Sequence, residues 1–84
     1  MIEERVRTLV RFMGATKLAE ATAITERQRW QTVATNRKVK VRIEDLEELL
    51  RVFPQYELWL LKGVTDTERG QIAPEHSDNR DTAS

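Results

Sequence analysis

The chain has 84 residues, with 14 Lys/Arg, 14 Asp/Glu and no cysteine, so its formal net charge is zero and 33% of it is charged. That length allows one small domain with a modest core, and the lack of cysteine excludes disulfides and thiolate metal sites. The N-terminal MIEERVRTLV puts acids ahead of bases, and no stretch approaches the roughly 18 apolar residues of a membrane helix, so neither a secretory leader nor a span is expected and a cytoplasmic location is.

Periodicity predicts an all-α fold of five short helices, with no β pattern. Ile2, Val6, Leu9, Val10 and Met13 line one face of a first helix, which Gly14 ends. A second helix is expected over about 16–22, with Thr16 as N-cap and Leu18, Ala19 and Thr22 inward. Ala23 and Ile24 make a turn. Thr25-Glu26-Arg27-Gln28 then has the form of a capping box opening a third helix, whose inner face is Trp30, Val33 and Ala34. Trp30 is in phase with Val33, so it is read as a core anchor. A loop from Asn36 to about Val41 follows. Ile43, Leu46, Leu49, Leu50 and Phe53 mark a fourth helix, with Glu44 and Asp45 complementing its dipole and Pro54 stopping it. A fifth spans about 55–62, ending at Lys62-Gly63, with Tyr56, Trp59 and Leu60 on one side. Residues 1–64 are read as the domain and 65–84 as a flexible polar tail.

Charge is distributed unevenly along these elements. Residues 1–43 hold ten Lys/Arg against four Asp/Glu, and residues 44–84 hold four against ten. Between Arg27 and Arg42 lie six bases (Arg27, Arg29, Arg37, Lys38, Lys40, Arg42) and no acid. A merely solvated face is the bland alternative, but six bases without an acid in this stretch are lopsided for one, and they sit on and just after the second member of a helix–turn–helix pattern, the footprint of nucleic-acid docking. The face opposite Trp30 carries Gln28, Gln31, Thr32 and Thr35, flanked by Arg27 and Arg29. Gln pairs with adenine edges and Arg with guanine edges, whereas loop residues such as Asn36, Arg37, Lys38 and Lys40 suit phosphates. The only histidine, His76, lies in the tail, and no glycine-rich phosphate loop is present. No catalytic, metal, cofactor or small-molecule site is read.

The segment TKLAEATAITERQRWQTV, a basic loop, and then RIEDLEELLRVFPQYELWLLKGVTD resemble the small Cro/CI-type phage and prophage repressors of the lambda-repressor-like helix-turn-helix class. The resemblance covers residues 2 to about 75. It departs at the turn: Trp30 and Val33 lie one position further from Ile24 than is usual, and Ala23 stands where glycine is common. The resemblance implies a double-stranded DNA-binding repressor, with Thr25, Arg27, Gln28, Arg29, Gln31 and Thr32 at the DNA. A palindromic operator implies a homodimer, and the apolar surplus on the fifth helix places its interface at Tyr56, Leu58 and Leu61. An antitoxin carrying the same module, or a helical adaptor with a basic face, are the alternative readings.

Overall fold

A computed structural model of the chain describes residues 1–74, and the segment 75–84, which includes His76, lies outside the described residues. Within them are five α-helices: α1 (Ile2–Met13), α2 (Ala15–Ala21), α3 (Arg27–Thr35), α4 (Ile43–Val52) and α5 (Glu57–Lys62). A 3-10 turn, Pro54–Tyr56, precedes α5, and another, Thr67–Arg69, follows it.

The stop signals act where the sequence puts them. Gly14 takes φ +91°, a conformation that costs a side-chain-bearing residue energy, and its N–H closes α1 on the Val10 carbonyl at 2.9 Å. Its carbonyl accepts the Leu18 N–H at 3.1 Å, so one glycine ends α1 and starts α2. This displaces the expected N-cap: Thr16 is already inside α2 and makes no cap bond. Pro54 follows the end of α4, and Gly63, at φ +73°, ends α5.

The entry to α3 also differs from expectation. Glu26 is extended and occupies the N-cap, so helical geometry begins at Arg27 and no Thr25–Gln28 capping box forms. A capping box pairs the N-cap residue with N3; with Glu26 at the N-cap those positions are Glu26 and Arg29, and Thr25 lies one residue outside the helix. The turn is held instead by Thr22, which is buried, with its hydroxyl 2.7 Å from the Leu18 carbonyl and 3.1 Å from that of Ile24.

The core is built from Val6, Leu9 and Val10 of α1, Leu18 of α2, Trp30, Val33 and Ala34 of α3, Leu49 and Phe53 around α4, and Tyr56 and Leu60. Trp30 is fully buried at its centre, and its indole N–H donates to the Ile24 carbonyl at 3.1 Å. Three apolar assignments change. Ile2, at the open start of α1, is 40% exposed. Ile43 is 73% exposed, because it opens α4 before the helix reaches the core. Tyr56, read with Trp59 and Leu60 as core and also beside Leu58 and Leu61 at a dimer face, is only 3% exposed, so it belongs to the core and offers little surface to a second copy.

The domain does not end at residue 64. Asp66 and Gln71 pair across the second 3-10 turn, with each N–H donating to the other's carbonyl at 2.9 Å. Gln71 donates to the Pro54 carbonyl and accepts the Leu58 N–H, and the Ile72 N–H reaches the Gln55 carbonyl. Ala73 and Pro74 are buried. Residues 65–74 are therefore a strap against the start of α5 rather than a loose tail. The Gln71 side-chain amide and the Ile72 N–H secure it together with burial of Ala73, so a single polar side chain does part of the work that periodicity assigns to apolar ones.

Candidate nucleic-acid interface

Helices α2 and α3 pack on each other across the turn at residues 22–26, making a helix–turn–helix with α3 as its second member. Burial of Trp30, Val33 and Ala34 fixes which side of α3 faces inward. The opposite side, with Arg27, Gln28, Gln31 and Thr35, is exposed, as is Thr25 in the turn; Thr32 is half-buried at the edge. After α3 the exposed surface continues through Asn36, Arg37, Lys38 and Lys40. Ten of the eleven sequence-assigned DNA residues are thus exposed or, for Thr32, half-buried on α3 and its flanking turn and loop, whereas the Arg29 side chain is largely covered.

These residues differ in how free they are. The side chains of Arg27, Gln31, Lys38 and Lys40 are exposed and make no hydrogen bond or ion pair among the described residues, although the backbones of the last three are bonded by Thr35, Asn36 and Arg29. Thr35 back-bonds to the Gln31 carbonyl at 2.9 Å. Gln28 points along the helix, its amide 3.5 Å from the Thr32 hydroxyl. Asn36 shapes the loop: its side-chain oxygen accepts the Lys38 N–H at 3.0 Å while its carbonyl accepts that of Val39. Arg37 makes an exposed ion pair with Glu4 at 3.3 Å, worth little in water.

Arg29 is not free. Its guanidinium grips Asp45 of α4, with Nε 3.3 Å from Oδ1 and Nη2 bonded to Oδ2, and Nη2 also donates to the Lys40 carbonyl. Asp45 is 1% exposed. The turn, α3 and the start of α4 enclose a cleft of about 560 Å³ lined by Thr25, Gln28, Thr32, Arg42, Glu44 and the Arg29–Asp45 pair.

Three supports behind this surface were not legible as such. Arg7 of α1, 4% exposed, sends Nη1 to the Val33 and Asn36 carbonyls at 2.9 and 3.0 Å and Nη2 to the Val39 carbonyl at 2.6 Å. Arg11 donates to the Ala34 carbonyl at 3.0 Å. Two cations therefore meet the negative end of the α3 dipole and satisfy its last carbonyls. The available signal was that Arg7 shares the buried stripe with Val10, three residues on. On the other side, Glu48 of α4 accepts the Ala23 N–H in the turn at 2.7 Å, and Arg51 donates to the same oxygen at 2.6 Å. The Arg51 hydrogen bond, with the Ala23 N–H second, holds the Glu48 carboxyl below the usual carboxylate range; the same contact raises Arg51. Asp45 and Glu48, one helical turn apart, tie α4 to the first turn of α3 through Arg29 and to the preceding turn through Ala23.

Among the described residues no cluster of three or more acidic or histidine side chains could hold a metal ion, and no helix is long and apolar enough to cross a membrane. No known protein-family description matches the chain, and no curated protein does. A solved structure does: that of Pf6r from the filamentous phage Pf6 of Pseudomonas aeruginosa PA01 superposes with a TM-score of 0.77 at 36% sequence identity, over 89% of this chain and 96% of Pf6r. With that identity spread over nearly the whole of both molecules, the chain belongs to the same family as the filamentous-phage protein Pf6r.

Proposed function

We propose that this protein is a sequence-specific double-stranded DNA-binding regulator of the Cro/CI-like phage repressor type, binding a palindromic operator as a homodimer. The observation that carries this reading is the exposed face of α3, with Arg27, Gln28 and Gln31, running without a break into the cationic loop at Arg37, Lys38 and Lys40. Base-reading and phosphate-binding residue types thus follow one another on the solvent side of a helix, the element a major groove admits. Membership in a filamentous-phage family supports the phage setting.

In this reading Gln28 and Gln31 read base edges, Arg27 and Thr25 flank them, and the loop cations hold phosphates. Leu61, 38% exposed, and half-buried Leu58 of α5 supply the contact to a second copy, which sets two α3 helices about one DNA turn apart. Repression follows by occlusion of a promoter.

Selection from a randomised duplex library tests this. The expected outcome is enrichment of a two-fold symmetric sequence whose affinity falls steeply with salt. Lys38→Ala should weaken every duplex alike and flatten the salt slope by about one, whereas Gln31→Ala should cost about 1–3 kcal/mol on the enriched sequence only. Enrichment of nothing, or binding indifferent to salt, rejects the reading.

A further inference from the structure

Asp45 is a carboxylate built into the rim of a surface read as binding a polyanion, a placement that works against affinity. Its geometry shows what it does there. It is 1% exposed and receives Arg29 through both oxygens, and its Oδ2 also accepts the Arg42 N–H at 2.8 Å. Arg29 in turn donates to the Lys40 carbonyl at 3.2 Å. One guanidinium therefore joins α3, the cationic loop and the first turn of α4. A two-point Arg–carboxylate contact fixes orientation as well as distance, which a lysine cannot do.

We propose that Arg29 and Asp45 are positioning residues that set sequence selectivity: the pair locks α3 against the Lys38–Arg42 loop so that base-reading and phosphate-binding groups reach the duplex together, and Arg29 itself does not touch DNA. The proposal rests on the DNA-binding reading above. It replaces the sequence-based assignment of Arg29 to the bases or phosphates. Losing the pair leaves the exposed cations in place but frees their spacing from α3, so specific binding suffers and non-specific binding does not.

The test uses the full chain with two probes: a duplex enriched by the wild type from a randomised library, and a scrambled duplex of the same length and composition. Affinities are measured for wild type, Asp45→Asn, Arg29→Lys, Arg29→Ala and the double variant Arg29→Met/Asp45→Leu, below the lowest melting midpoint of the set. The double variant replaces the pair by apolar groups and keeps the packing if single substitutions unfold the domain. The ratio of enriched to scrambled affinity should fall by about tenfold in every variant, a size typical of coupled pairs. Asp45→Asn should bind the scrambled duplex as well as wild type or better, since a negative charge is gone. Asp45→Asn tightening both duplexes equally would overturn the proposal, as would a double variant that keeps the wild-type ratio. Arg29→Ala losing selectivity at a single base position, with Asp45→Asn unaffected, would make Arg29 a reader and overturn it too. If the wild type itself enriches no sequence, it is the DNA-binding reading that fails, before any substitution is made.

Discussion

Replacing Arg7 with Met should destabilise the domain while leaving its volume nearly filled. Arg7 satisfies three carbonyls at the end of α3 and in the following loop, at 2.6–3.0 Å. The Val33 contact is buried, and its carbonyl would be left without a partner at a cost of about 1–3 kcal/mol. Asn36 and Val39 lie at the edge, where water can take over, so about 1 kcal/mol each is reasonable. The loss of a cation at the helix C-terminus adds a few tenths to about 1 kcal/mol. Together these come to about 3–6 kcal/mol, a large share of the 5–15 kcal/mol that such domains possess. For a domain this size each kcal/mol moves the midpoint by about 4–8 °C, so the melting temperature should drop by at least about 12 °C. Thermal and urea unfolding followed by the emission of buried Trp30 reads the effect. Arg7→Lys, which keeps the charge but cannot span three carbonyls, should recover only part of the loss. If Arg7→Met melts within a few degrees of wild type, the Arg7 contacts do not hold α3 and the account of how its end is fixed is wrong.

Trp30→Ala empties the centre of the core and should cost about 3–5 kcal/mol, checked by denaturant titration followed by circular dichroism; an unchanged midpoint would mean that the indole is not a core anchor. Truncation after Val64 removes the Gln71 and Ile72 bonds and should lower the melting temperature of the domain in a thermal scan; an unchanged midpoint would mean that these bonds do not hold the segment. Leu61→Glu should give folded monomers in sedimentation with weaker operator binding, while truncation after Pro74 stays dimeric; the reverse pattern would move the interface off α5. Glu48 has a folded-state pKa below its unfolded value, so its contribution is fully present above the usual Glu range, near ~4.3, and is lost as pH falls through the lowered folded value. The stability gap between wild type and Glu48→Gln should accordingly be constant from neutral pH to about 5 and shrink on further acidification; a gap that widens in acid would reverse the sign.

Helix existence, order and inner faces were legible because they depend on short-range regularities. Val6, Leu9 and Val10 recur at helical spacing and are buried, as do Trp30, Val33 and Ala34. Gly14, Pro54 and Gly63 punctuate the chain through their own backbone preferences. The cationic run from Arg27 to Arg42 and its position after a short helix were equally visible, since charge needs no fold to be counted. What the sequence could not set was which polar groups meet. Arg29 and Asp45 are 16 residues apart, and Arg7 and Val39 are 32 apart. Whether such groups touch is decided by how α1 and α4 cross α3, and no local pattern encodes a crossing. The same holds for residues 65–74, whose attachment depends on where the carbonyls of Pro54 and Gln55 come to lie. Ile2 and Ile43 are exposed at the starts of their helices for a related reason: periodicity tells which residues share a helix face, but the packed neighbours decide how far along that face burial extends.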